Sequence, residues 1–300
     1  MKKKRTFKHF VREYKTGTLM VLPFLILYLV FVIGPIVIAA GMSFTDYNLL
    51  ETPKFVGFDN YKVLFLDDDV FITAISNTMI FAVIAGPVGL FMSFILAYII
   101  NGKPFSKVFS LLFYAPALTS GIAMTVVWMY FFSPDRYGFM NDLLFQFGLI
   151  NEPILWNIDQ KYILTVVIII SVWMNMGSGF LVFFAGLKNT SAELMEAGKI
   201  DGVRNSLQEL WYIVIPQMKP QLLFGCINAV TTSLGVFEIA MGVAGFPSPN
   251  YAGHTIVAHL YDYAFVRFQM GYASSVAMVL FFVTFVLGKI LTKVLSSNEE

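Results

Sequence analysis

Charge is what this chain has least of. Lys, Arg, Asp and Glu make up 13% of its 300 residues, against 57% hydrophobic, about half the charge of an ordinary soluble domain. That balance excludes a water-soluble globule. The formal net charge of +1 is not gathered into a basic patch, so no nucleic-acid partner is expected. A single cysteine, Cys226, excludes an intrachain disulfide and a cysteine metal cluster. Histidine is as scarce. His9 sits in a basic tail, and His254 and His259 stand five apart, a poor helical metal pair without further ligands nearby. A structural or solvated role is expected for both, and no metal site. The phosphate loop G-x-x-x-x-G-K-[ST] is missing. No nucleophile–base arrangement stands out, so no catalytic residue is assigned.

What the chain has instead is hydrocarbon in long uncharged runs. The stretch from Leu19 to Gly41 reaches across the roughly 30 Å core of a bilayer at 1.5 Å per residue. Five more spans are expected: Ile72 to Ile100, Val108 to Phe132, Tyr162 to Leu187, Gln221 to Phe246 and Gly271 to Gly288. The expectation is an all-α, six-span polytopic membrane protein, with a basic tail over 1–18, a transmembrane bundle over 19–295 and a short tail over 296–300. The first run is too long for the h-region of a cleaved signal peptide, about 7–15 residues, so it is read as a retained span. Pro23, Pro35, Pro87 and Pro116 are expected to set kinks within spans.

Sidedness follows from Lys and Arg. With both termini inside, the inner segments hold fifteen of the 20 basic residues. Lys54, Lys62, Arg136, Lys161 and Arg267 remain outside, with most of the acidic residues, including Asp67-Asp68-Asp69. The positive-inside rule favours that orientation in a cell membrane. The basic tail also suits anionic lipid.

Between spans four and five, near 188–220, lies an unusually polar loop: Glu196-Ala197-Gly198-Lys199-Ile200-Asp201-Gly202, then Pro216 and Pro220. Thr190 and Glu193 are spaced as a capping box for a helix running to about Ile200, with a glycine turn at Gly202. Leu207, Leu210, Trp211 and Val214 follow at i, i+3, i+4, i+7, one apolar stripe on a second helix. The pattern is two short helices joined by a tight turn. Lying flat on the headgroups is one reading and docking a soluble partner the other.

Polar residues within spans are costly. Ser171, Asn175 and Ser178 share a face of the fourth span; Asn228, Thr232 and Glu238 follow helical spacing on the fifth, with Glu238 towards the outside. The two faces line a hydrated path in one reading and a helix–helix contact in the other. The hydroxyls fit either. The carboxylate of Glu238 favours a cavity or gate, since an ionisable group in a span seldom faces lipid.

The polar loop resembles the EAA loop of permease subunits from binding-protein-dependent ABC importers, with two departures. Gly198 replaces the third EAA position's alanine, and the run from Asp201-Gly202 to Pro216 is one residue longer. Further segments resemble the carbohydrate-uptake branch, the maltose and glycerol-phosphate permease type. These are Phe55-Val56-Gly57-Phe58-Asp59-Asn60-Tyr61 with Asn77-Thr78, the Pro116-containing span ending in Phe132-Ser133-Pro134-Asp135, and Phe265 to Ala273. The resemblance runs from about Leu19 to Leu295 and implies a type I ABC importer permease fold in a prokaryotic membrane. It implies docking of an ATPase by Glu196, Ala197, Gly198, Asp201 and Gly202. It implies as partners a second permease chain, two ATP-binding subunits carrying the ATP and magnesium, and an extracytoplasmic solute-binding protein. Carbohydrate, with oligosaccharide favoured, is the implied cargo. An ion-coupled carrier, or a permease for another solute such as glycerol phosphate, remains open; a membrane-embedded enzyme lacks a catalytic cluster.

Overall fold

The computed structural model describes residues 15–296. The basic tail expected over 1–18 lies almost wholly outside these residues, as does most of the tail over 296–300. Among the described residues, four helices are long and apolar enough to cross a membrane: Leu19–Met42, Asp69–Ile100, Gln160–Lys188 and Met270–Val294. Two broken pairs, Ser106–Leu118 with Gly121–Phe131 and Lys219–Leu234 with Glu238–Ala244, bring the total to six if each is one span. Among the described residues, strand is confined to an antiparallel pair of two residues each, Thr45–Asp46 with Lys54–Phe55.

The six runs are therefore present, but the third and fifth are not the straight spans expected. The third bends by 99° and the fifth by 42°. In the third, Pro116 offers no amide to its own helix, which ends at Leu118 and leaves Thr119 and Ser120 extended. In the fifth, Gly235 follows the last helical residue and Phe237 leaves helical geometry. Expected kinks at Pro23 and Pro87 are not breaks; both helices run through them. Pro35 acts differently. A π turn, Leu29–Ile33, ends two residues before it and closes from the Gly34 amide to the Leu29 carbonyl. The wider turn gives the proline ring room where an α turn would crowd it.

The second and fourth spans form the central pair, with the fifth packed against both. Phe81, Val166, Ile170 and Val236 fill one cluster and Phe94, Phe180, Phe183 and Val214 a second. Inside a bilayer, helices associate through close packing and hydrogen bonds rather than hydrophobic transfer. Ser93 illustrates this: its hydroxyl on the second span reaches the Met176 carbonyl on the fourth, 2.9 Å away. The first span stands apart, touching the sixth through Gly34–Met42 and exposing apolar side chains from Leu19 to Val32.

At the end expected to face outward, loops are tied down by side chains that satisfy backbone carbonyls. Asn60 donates to the carbonyls of Ser43 and Thr45, both at 2.9 Å. Asn77, at the start of the second span, donates to those of Tyr251 and His254 at 2.9 and 3.0 Å. Neighbouring Thr78 accepts from the Ile256 amide at 3.0 Å. Fully buried Asn141 holds Ser133, Asp135, Ile154 and the Trp156 indole together. The segments that resemble the carbohydrate branch are thus mostly structural ties. An unpaired carbonyl near hydrocarbon costs several kcal/mol, and these residues remove that cost.

Candidate translocation cavity and docking loop

The polar faces of spans four and five meet. Ser171, Asn175 and Ser178 line one cavity of ≈310 Å³ with Asn228 and Thr232, against Phe81 and Ser93 of the second span. A second compartment of ≈590 Å³ shares Phe81, Asn175, Ser178 and Thr232, and adds Glu238, Thr119 and Gly121. The two lie side by side, with these residues as common walls. Ser171 is buried, and among the described residues its hydroxyl has no hydrogen-bond partner. A buried hydroxyl at a cavity wall without a partner is a place for water or for a solute hydroxyl. The threonine and Ser178 hydroxyls are already spent on their own helices: Thr232 donates to Asn228 at 2.9 Å and Ser178 to Asn175 at 3.0 Å. Both remain acceptors towards the cavity. Glu238 does not sit on a continuous fifth span as expected. It opens the half-helix after the break, which turns it to the cavity across from the break in the third span.

The polar loop forms the two helices expected, with changes in detail. The first is Ala192–Ile200, and its cap is Ser191 rather than Thr190: the Ser191 hydroxyl accepts from the Leu194 amide at 3.3 Å. The Thr190 hydroxyl instead donates to the Leu187 carbonyl at 2.7 Å, closing the fourth span. Gln217 takes up the Ser191 amide at 3.0 Å, so the two ends of the loop are joined by one side chain. The turn is at Gly202, whose φ of 97° suits glycine and strains any L side chain.

The second helix begins at Ser206–Glu209, capped by Asn205, and passes into a π turn over Leu210–Val214. That turn breaks the expected stripe. Leu210 and Val214 go into the core, while Leu207 and Trp211 stay exposed. Pro216 supplies the reason, as Pro35 does in the first span, because a π turn stands two residues before each. A π turn holds one residue more than an α turn, which accommodates the longer spacing to Pro216. Glu196, Ala197, Asp201 and Gly202 are exposed on the hairpin. Gly198 is buried. A Cβ there would collide with the end of the Ile213 side chain, so glycine is what lets the two helices cross this closely.

With the cavity and hairpin in place, comparison with known proteins decides the family. Residues 85–297 match the family described as the binding-protein-dependent transport system inner membrane component. The chain belongs to this family. The permease is 32% identical over 299 residues to the probable ABC transporter permease protein YesP of Bacillus subtilis, covering 98% of this chain and 93% of that one. It is 32% identical over 270 residues to the lactose transport system permease protein LacF of Rhizobium radiobacter, 88% of each chain. Its fold matches a chain of a bacterial ABC transporter involved in import of the acidic polysaccharide alginate. The TM-score is 0.82 at 21% identity, over 97% and 98% of the two chains.

One cluster in the permease was not foreseen as a site. Asp68 caps the second span, accepting from the Phe71 amide at 2.8 Å. Its other oxygen accepts from Tyr272 at 2.7 Å and Tyr263 at 3.1 Å, tying the sixth span to the second. His259 Nε2 lies 3.3 Å away but is not aligned for a hydrogen bond. Burial alone would raise the Asp68 carboxyl. The hydrogen bonds from Tyr272 and Phe71, the neighbouring His259 and the Tyr263 hydroxyl outweigh it and hold the group below its ordinary value. His254 and His259 are buried and packed edge to face at 5.6 Å, structural rather than solvated. The available signal was the Asp67-Asp68-Asp69 run itself, which offers helix-capping carboxylates just ahead of an apolar stretch.

Proposed function

We propose that this permease forms half of the translocation path of an ATP-driven carbohydrate importer, with oligosaccharides as cargo. The observation that carries the path is the convergence of Ser171, Asn175, Ser178, Asn228, Thr232 and Glu238 on two neighbouring cavities with common walls. Uncharged hydroxyls and amides beside Phe81 and Phe224 suit a sugar, which offers hydroxyls to the one and an apolar ring face to the other. The resemblance to the carbohydrate branch and the lactose permease relative support the cargo class.

Three further parts complete the machine: a second permease chain closing the open side of the cavity, two ATP-binding subunits carrying ATP and magnesium, and an extracytoplasmic binding protein. The exposed face of Glu196, Ala197, Asp201 and Gly202, braced by buried Gly198, docks an ATPase. Exposed Ile200, Leu207 and Trp211 beside it give that contact its apolar area. This chain performs no chemistry. Both termini lie in the cytoplasm, and residues 19–295 form the inner-membrane bundle.

The test is reconstitution with the ATPase, second permease and binding protein encoded beside it. Sugar-loaded binding protein should stimulate ATP hydrolysis and drive sugar uptake into vesicles. An ATPase that neither copurifies nor responds would overturn the assignment and favour an ion-coupled carrier.

A further inference from the structure

The breaks in the third and fifth spans face each other across the larger compartment, and one carboxylate stands between them. Glu238 is the first residue of the outer half of the fifth span. Its carboxylate lies over Gly121, the first residue of the outer half of the third: a Cβ at 121 would stand 2.5 Å from Oε2. The missing side chain at 121 leaves the carboxylate its place. Glu238 is exposed to the cavity, and among the described residues it forms no ion pair. None of the described residues lining either compartment is Lys, Arg or His. Among the described residues, this chain's share of the path carries one unpaired carboxylate and otherwise uncharged walls.

We infer that Glu238 determines the charge class of the solute, so that the path takes uncharged saccharides and rejects phosphorylated or uronic-acid ones. This rests on the sugar-importer reading and sharpens it. Once a second chain closes the cavity, a carboxylate on its wall is less screened than one in open water, and its field raises local cations and repels anions. Hydroxyls of a neutral sugar donate to the same group through charge-assisted hydrogen bonds. The inference closes the glycerol-phosphate reading and separates this path from that of the fold relative that imports an acidic polysaccharide.

Thiol chemistry reads the field without requiring a cargo. In the assembled complex with Cys226→Ser in this chain, Thr232→Cys and Asn175→Cys are introduced one at a time. Labelling of this chain by matched methanethiosulfonates, one bearing trimethylammonium and one sulfonate, is then timed. The cationic-to-anionic rate ratio should exceed that of a free thiol by about tenfold, as a partly screened charge on the wall of the same cavity would give. Glu238→Gln should bring the ratio back towards the free-thiol value, and Glu238→Lys should invert it. A wild-type ratio equal to the free thiol's, or one unmoved by Glu238→Gln, overturns the inference. So does an absence of reaction at both positions, since the cavity would then be closed to hydrated ions. Uptake of an anionic oligosaccharide as fast as a neutral one of equal length would overturn it as well. A wild-type complex that transports no sugar although the ratios behave as expected would instead count against the importer reading.

Discussion

Glu196 and Gly198 share one short helix and answer to different constraints. Glu196 is exposed and open to a partner, whereas Gly198 is buried where Ile213 crosses it. Glu196→Ala removes an acceptor for a charge-assisted bond worth about 1.5–3 kcal/mol. Gly202→Val places a β-branched residue at a φ of 97°. Both variants should reach the membrane and assemble, yet lose solute-stimulated ATP hydrolysis; normal stimulation in both would sink the docking assignment. Gly198→Ala makes a different forecast. Its methyl collides with the Ile213 tip, so coupling should fall, and Ile213→Val should restore much of it although that change alone costs about 0.5–1.5 kcal/mol. A double-mutant cycle on stimulated hydrolysis measures the interaction, and additive losses would show that the two residues do not press on each other. The motif was legible in the sequence. Why glycine stands at 198 was not, because Ile213 lies beyond the turn and a π turn sets where it points.

At the scale of elements, the outer loops are held by a few side chains reaching across long stretches of chain. Asn77 carries two carbonyls of the 251–254 segment. Asn77→Ala leaves the His254 carbonyl without a partner at about 1–3 kcal/mol, while the Tyr251 carbonyl still accepts from the His254 amide. The thermal midpoint of the purified complex should drop clearly, with the stimulated ATPase kept below that midpoint. His254 adds a pH dependence. Burial first, then the nearby His259, lowers it from 6.5 to about 4, with Arg267 also lowering it and Asp262 and Asp68 opposing. The folded state thus binds this proton less readily than the unfolded chain. The stabilisation is complete above pH 6.5 and is lost as pH falls from there towards 4. Thermal midpoints measured across that window should decline less in His254→Phe, which keeps the ring stacked on Phe246. An identical decline in both proteins would remove His254 from the account.

For the whole molecule, sidedness is the property most open to test. Leu50 is 91% exposed at one end and Asn205 is exposed at the other. A cysteine at 50 should be labelled from outside intact cells, and one at 205 only after permeabilisation; the reverse would invert the topology. Composition and local pattern by themselves determined the six apolar runs, the charge asymmetry and the helix–turn–helix of the polar loop. Each depends on residues within a few turns of one another, and hydrocarbon leaves a chain few other ways to satisfy its backbone. They also placed Asn175 and Asn228 on the faces that meet. Tertiary structure alone decided where the third and fifth spans break, that Glu238 opens a half-helix over Gly121, and that Asp68 binds Tyr263 and Tyr272 across the fold. A break in a helix survives only where distant groups take up its freed polar atoms or water fills the gap. Such partners are set by packing between spans, and sequence neighbours carry no record of them.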